Sequence, residues 1–206
     1  MLKLKISLID YGVGNLFSVE EAFKFLGCEV SLCKNPEEVR RSDIIVLSGV
    51  GSFASSIEKI KQKQLFEAID EHVKIGKPLI GICLGMQLFA TTGYENGAHE
   101  GFNWISARVE KLNSQEAKVP HIGWSEITPL DSQIFKRIRD KSFYFMHSYH
   151  FIPEEDSCVI ARFKFGKEEP VAAIKKDNII GFQFHPEKSQ ADGIRVLFNT
   201  LETLRC

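Results

Sequence analysis

Between Pro78 and Gln87 the chain reads Pro-Leu-Ile-Gly-Ile-Cys-Leu-Gly-Met-Gln, an apolar run that stops at a glycine-flanked cysteine and restarts as a helix. Leu79 to Ile82 shows no polar alternation, which suits a parallel strand covered on both faces. Gly81 and Gly85 bracket Cys83 in a G-x-C-x-G pattern, the thiol version of the sharp strand-to-helix turn that exposes a nucleophile. Such a turn crowds its own backbone, and a Cβ at either glycine would clash. It also sets Cys83 at a helix start, where unpaired amide groups favour negative charge. Taken alone, the pentapeptide fits a buried structural cysteine equally well.

The flanking sequence extends the constraint. Strand patterns at Leu4–Ile9, Glu29–Cys33 and Ile44–Leu47 alternate with helical patterns near Asn15–Leu26, Pro36–Arg41 and Phe53–Ile75. That order predicts an α/β fold, an open, mostly parallel sheet flanked by helices. The second half predicts added antiparallel strands near Trp104–Leu112, Glu126–Thr128, Ser142–His147, Cys158–Arg162, Val171–Lys175 and Ile179–Phe184. A closing helix has Ser189 as candidate N-cap, Asp192 in its first turn, and Ile194, Leu197, Leu201 and Leu204 on one face. No repeat, linker or low-complexity tract breaks the 206 residues, so one domain over 1–206 is expected.

A formal net charge of -1 argues against nucleic acid or an anionic membrane as partner. No stretch reaches membrane-spanning length, and the first strand begins without a cleavable signal pattern. Five cysteines (Cys28, Cys33, Cys83, Cys158 and Cys206) form no C-x-x-C pair. An odd count without pairs suits free thiols in a reducing cytoplasm rather than a disulfide framework or a zinc site.

Loops after the first-half strands converge on the C-terminal edge of the sheet, where open α/β folds hold ligands. Three carry glycine: Asp10–Asn15, Ser48–Gly51 and the Cys83 turn. The first resembles the start of a dinucleotide fingerprint, but Phe17 occupies the third glycine position, where close helix–strand packing leaves no room. A nucleotide site is therefore not expected.

A nucleophilic cysteine needs a base and a group that orients it. Gly181-Phe182-Gln183-Phe184-His185-Pro186-Glu187 supplies both. Phe182 and Phe184 alternate as strand residues, Pro186 ends the strand, and His185 and Glu187 can project the same way. A carboxylate there can fix the imidazole tautomer and stabilise its cation. A lone H-P-E also fits a surface turn; joined to the cysteine turn, it reads as catalytic. His147 and His150 sit in a strand leading into a polar loop, with no zinc spacing. His121 sits in an aromatic-bearing loop, Val119–Trp124, that fits core or contact surface; His72 and His99 carry no signal.

Together, the cysteine turn, the Gly49-Val50-Gly51 loop and the terminal H-x-E resemble the class I (triad) glutamine amidotransferases. Asp10–Leu16, Gly81–Gln87, Pro120–Trp124, Tyr144–Tyr149 and Gln183–Ser189, in order along the chain, resemble the glutaminase subunits of imidazole glycerol phosphate synthase within that family. The resemblance implies hydrolysis of L-glutamine, with Cys83, His185 and Glu187 as the catalytic set and no cofactor or metal. Oxyanion charge would meet amides at Leu84 and at Val50 or Gly51. Gln87, Glu95, His147, Ser148 and Tyr149 match family contacts to glutamine, although Gln87 also fits a helix-packing role and Glu95 a solvated charge. Ammonia would pass to a (β/α)8 synthase (cyclase) subunit, the heterodimer partner, across a surface bearing Asn15, Pro120, Ile122 and Trp124.

Two segments depart from the family pattern. Ser48 stands where proline is usual, and Gly97-Ala98-His99-Glu100-Gly101 replaces a glutamate- and glycine-rich stretch. Paralogous subunits that feed surface-sugar amidotransferases often carry a histidine-containing variant there, which makes such a pathway the alternative.

Overall fold

The computed structural model describes residues 4–113 and 117–204; Cys206 lies outside them. Strands β1 (Lys5–Ile9), β2 (Glu29–Cys33), β3 (Ile44–Gly49) and β4 (Leu79–Cys83) alternate with helices α1 (Leu16–Phe25), α2 (Pro36–Arg41), α3 (Phe53–Gln62) and α4 (Phe66–Lys74). Every residue of β3 and β4 is buried, because helices cover both faces. On one face Ile6, Leu8, Ile44, Val46, Ile80 and Ile82 meet Val19, Ala22 and Phe23 of α1. On the other, Ile9, Ile45, Leu47 and Leu79 meet Phe53, Ile57 and Ile60 of α3 and Ile69 and Val73 of α4. The period-2 alternation of each strand thus divides the apolar residues between two cores.

One turn of helix, α5 (Leu84–Gln87), follows β4 directly. The remaining strands are β5 (Ala90–Gly93), β6 (His99–Glu100), β7 (Ile105–Lys111), β8 (His121–Pro129), β9 (Ser142–His147), β10 (Tyr149–Pro153), β11 (Val159–Phe163), β12 (Val171–Lys176) and β13 (Ile179–Phe182), before helix α6 (Gln190–Leu204). The main sheet runs β2-β1-β3-β4-β13-β12-β11-β8-β9, and a second runs β10-β7-β5-β6. β13 lies parallel to β4, and each pairing beyond it is antiparallel. Val196, Leu197 and Leu201 of α6 join the α1 core, with Ile194 and Leu204 packed at its margin. No helix among the described residues is long and apolar enough to cross a membrane.

Four local expectations change. Val119–Trp124 is not simply a loop: from His121 onward it is strand β8, whose exposure alternates because one face is open. The segment after His147 is not a polar loop either, since only Ser148 separates β9 from β10, and His150 lies in β10. Both strands carry polar residues on half-exposed faces, which hides them from a search for apolar runs. Ser189 does not cap α6 with its side chain. Its hydroxyl instead donates to the His185 carbonyl (2.7 Å) and accepts from Tyr144 N–H (3.0 Å). Phe17 is 68% exposed, so it does not occupy a helix–strand contact. The close approach is made by Gly14, where a Cβ would sit 3.0 Å from Gly49 Cα.

Candidate active site

The site forms where β3, β4 and β13 end side by side. Register sets Gly49 opposite Cys83 and Phe182 opposite Ile82, which brings the glycine loop and the H-P-E segment to the cysteine. Cys83 has φ 54° and ψ −110°, a sparsely populated backbone conformation that costs about 1–3 kcal/mol and needs enforcement by its surroundings. The two glycines allow that enforcement. A Cβ on Gly85 would collide with the Leu47 carbonyl, and one on Gly81 would lie 2.8 Å from Met86 N. α5 spans only four residues, so any field on the sulfur comes from the first local amides rather than from a long helix dipole.

A cavity of about 300 Å3 opens above the cysteine. Val50, Gly51, Cys83, Leu84, Gln87, Glu95, Pro120, Ile122, His147, Ser148 and Tyr149 all line it, joined by Met146. The volume is at the lower end of ligand pockets and suits a small metabolite. His185 and Glu187 lie buried beside the sulfur rather than in the cavity wall, and Asn15 and Trp124 lie outside it. Trp124 is 47% exposed and Ile122 59%, both on the outward face of β8. Their cross-strand partners on β9 are Tyr144 and Met146.

His185 Nδ1 donates to Glu187 Oε1 at 2.8 Å, which fixes the ring and leaves Nε2 toward the sulfur. Burial disfavours the imidazolium, but the Cys83 sulfur and then the Glu187 carboxylate outweigh burial and push the pKa up to about 10. The H-P-E segment can therefore hold a proton where a leaving amine would collect it. Its backbone is fastened by β9, because His185 N–H donates to the Tyr144 carbonyl at 2.8 Å. The Cys83 thiol in turn points at the Met146 carbonyl at 3.8 Å.

His147 behaves differently. Burial lowers its pKa to about 3, and Nδ1–H donates to the Tyr149 carbonyl at 2.8 Å, so Nε2 is left as an acceptor. His121 faces His147 across β8 and β9, bonds the Ser125 hydroxyl through Nε2 (3.1 Å) and stacks its half-buried ring on Phe163. Glu95 is no free surface charge: Oε2 accepts the Phe53 N–H at 2.8 Å, while Ser52 caps the same helix by accepting Ser55 N–H. The two contacts anchor the far end of the glycine loop. At its near end the buried Tyr11 hydroxyl fills the hollow that Gly49 leaves, and burial raises the phenol pKa.

Sequence reading missed Gln183 and Met146. Gln183 is fully buried, and its Nε2 lies 3.7 Å from Cys83 Sγ. The signal was its place just before the H-P-E residues, between Phe182 and Phe184. Met146 acts through its carbonyl, which no side-chain pattern reveals. No group of three metal-ligating residues forms among the described residues.

Residues 7–204 match the glutamine amidotransferase class-I family. The chain is 40% identical over 199 residues to the imidazole glycerol phosphate synthase subunit HisH of Carboxydothermus hydrogenoformans, covering 96% of this chain and 98% of that protein. It is 42% identical over 198 residues to subunit HisH 1 of Campylobacter jejuni subsp. jejuni, covering 94% and 98%. A solved glutamine amidotransferase, 16% identical, aligns with a TM-score of 0.76 over 98% of this chain and 99% of its own, a likeness of fold alone.

Proposed function

The chain belongs to the class-I glutamine amidotransferases and, within them, to the HisH subunits of imidazole glycerol phosphate synthase, and from that premise we infer how it works. It hydrolyses L-glutamine to glutamate and supplies the ammonia for histidine biosynthesis. Cys83 Sγ attacks the side-chain carboxamide carbon, and oxyanion charge meets amides at Leu84 and at Val50 or Gly51. The C–N bond then breaks, and ammonia leaves with the proton held by His185. Water adds to the resulting thioester, His185 takes its proton, and the C–S bond breaks to release glutamate and the thiolate. Glu187 keeps the imidazole oriented and supports its charge throughout.

The observation that carries this reading is the single cavity lined at once by Cys83, the glycine loop and the polar groups of Gln87, Glu95, His147, Ser148 and Tyr149. In that cavity Gln87, Glu95 and the His147–Tyr149 segment hold the substrate. The whole chain acts as one glutaminase domain in the cytoplasm, paired as a heterodimer with a (β/α)8 synthase subunit. Ammonia is channelled into that partner without release to solvent. Asn15, Pro120, Ile122 and Trp124 contribute the docking face, which the exposure of Ile122 and Trp124 supports.

The test is glutamate release by the subunit alone, with the barrel synthase, and with a surface-sugar amidotransferase. Activation by the barrel synthase is expected. Activation by the sugar enzyme alone would move the protein to that pathway, and release by neither would remove the glutaminase assignment.

A further inference from the structure

We propose that Gln183 is a further catalytic residue, whose carboxamide N–H stabilises the anionic sulfur of Cys83. This rests on Cys83 as nucleophile, but it concerns a contact that the triad does not include.

The geometry leaves the Gln183 amide one orientation. Gln87 Nε2 lies 2.7 Å from the Tyr149 carbonyl, an atom that can only accept, so the nitrogen of Gln87 is fixed there. The same nitrogen lies 3.0 Å from Gln183 Oε1. Exchanging the two ends of the Gln183 amide would set nitrogen against nitrogen, so its NH2 group is committed to Cys83 Sγ at 3.7 Å. No solvent competes, since Gln183 is fully buried.

The other polar neighbour of the sulfur makes that donor matter. The Met146 carbonyl, 3.8 Å away, accepts from a thiol but repels a thiolate. Losing the proton therefore turns one contact from favourable to unfavourable, while the Gln183 contact strengthens, because charge-assisted bonds exceed neutral ones. The titratable groups acting on the sulfur are His185, backed by Glu187, and the Tyr11 phenol. His185 gives up its proton during the reaction and Tyr11 has its pKa raised by burial, whereas an amide donor is present at every step. It serves at the two points where sulfur is anionic: before attack, and when the C–S bond of the thioester breaks.

The experiment alkylates the full chain with iodoacetamide and follows Cys83 by mass mapping at pH 7 and at pH 10. Gln183→Met removes the donor at similar length, and Gln183→Glu keeps the shape while replacing N–H with a carboxyl oxygen. At pH 7 both variants should react about tenfold more slowly than wild type, the thiolate being the reactive form. At pH 10, where free thiols ionise without help, Gln183→Met should approach the wild-type rate, whereas the carboxylate of Gln183→Glu repels the sulfur charge and keeps that variant slow. Glutamine turnover should fall by a similar factor in kcat. An unchanged rate at pH 7 in both variants overturns the proposal, as does equal slowing of Gln183→Met at both pH values, which marks lost packing. Melting temperatures guard against a misfolded Gln183→Met, and Gln183→Glu decides if that variant unfolds. Failure of the nucleophile assignment itself would look different: wild-type Cys83 would react no faster than Cys28, Cys33 or Cys158, and Cys83→Ala would still turn over glutamine.

Discussion

The two ends of the main sheet reach the site in different ways. The parallel end (β2, β1, β3, β4 and β13) has its inner strands β3, β4 and β13 buried throughout and delivers Cys83, the Val50–Gly51 loop and His185 at or just beyond their tips. The antiparallel end (β12, β11, β8 and β9) is largely buried at β12 and β11, opens only at β8 and β9, and holds two side chains of the site with main-chain oxygens, from Tyr144 on His185 and Met146 on Cys83. One end supplies side chains whose identity is fixed by chemistry. The other supplies a backbone frame whose outward residues, Ile122 and Trp124, are free to meet a partner. Substitutions at the tips of the parallel end should therefore stop the reaction, and those on the outward face of β8, at Ile122 and Trp124, should change how well it is controlled.

The largest effect tests the first half of that contrast. Cys83→Ala should lower glutaminase turnover by roughly 10⁴-fold or more, as expected when a nucleophile is removed. A glutamine-like diazo-ketone should label Cys83 and abolish activity; labelling mainly at Cys28, Cys33, Cys158 or Cys206 would break the assignment. His185→Ala should come next, with a loss of about 10²–10⁴-fold in kcat and glutamine still bound. Glu187→Gln should cost less, because an amide still orients the ring but no longer supports its charge. Wild-type turnover in both variants would reduce the 2.8 Å His185–Glu187 contact to a structural turn.

The same contrast explains what could be read from the sequence. Parallel strands at the middle of a sheet read as uninterrupted apolar runs, so β3, β4 and the turn after Leu79–Ile82 were legible, and with them Cys83. The His185–Glu187 contact was legible because side chains two apart in an extended segment project the same way. The antiparallel frame was not. β8 opens with His121-Ile122-Gly123-Trp124, where exposed apolar residues alternate with half-buried polar ones, and that pattern reads as loop. β10 begins one residue after β9 ends yet joins the other sheet, a switch that leaves no compositional trace. Met146 contributes a carbonyl, and any residue there presents one. Gln183 could have been found, since a polar residue between the buried Phe182 and Phe184 needs a partner.

Control by the partner should have the next largest effect and belongs to the antiparallel end. Only one orientation of the Gly49–Gly51 peptides turns an N–H toward the oxyanion, and losing one such donor costs about 10²–10³-fold. Docking of the barrel subunit, with its own ligand bound, should therefore raise glutamate release by up to that factor over the subunit alone. Ser48 lacks the rigidity of proline and should make the resting state leakier. Trp124→Ala should weaken the heterodimer about tenfold or more, as removal of a large interface aromatic does, while leaving basal hydrolysis unchanged. Full activity without a partner, or a basal rate that falls with Trp124→Ala, would erase the division of labour between the two ends.

The smallest effect concerns pH, and His147 of β9 and His150 of β10 should respond with the opposite sign to His185. Burial lowers the pKa of His147 to about 3 and of His150 to about 4, both below the value of about 6.5 expected in the unfolded chain. The unfolded chain then binds more protons between those limits, so these residues make stability fall as pH drops below about 6.5. His185 is shifted the other way. Its folded pKa, near 10, lies above the unfolded value, so its stabilisation is complete below about pH 6.5 and is lost as pH rises toward 10. Thermal melts across pH 4 to 10 should show both flanks. His147→Phe should flatten the acid flank and His185→Ala the alkaline one, by a few degrees each, since a kcal/mol moves the melting temperature of a chain this size by about 2–4 °C. An acid flank as steep in His147→Phe as in wild type would mean that β9 is held by something other than a neutral histidine bonded to the Tyr149 carbonyl.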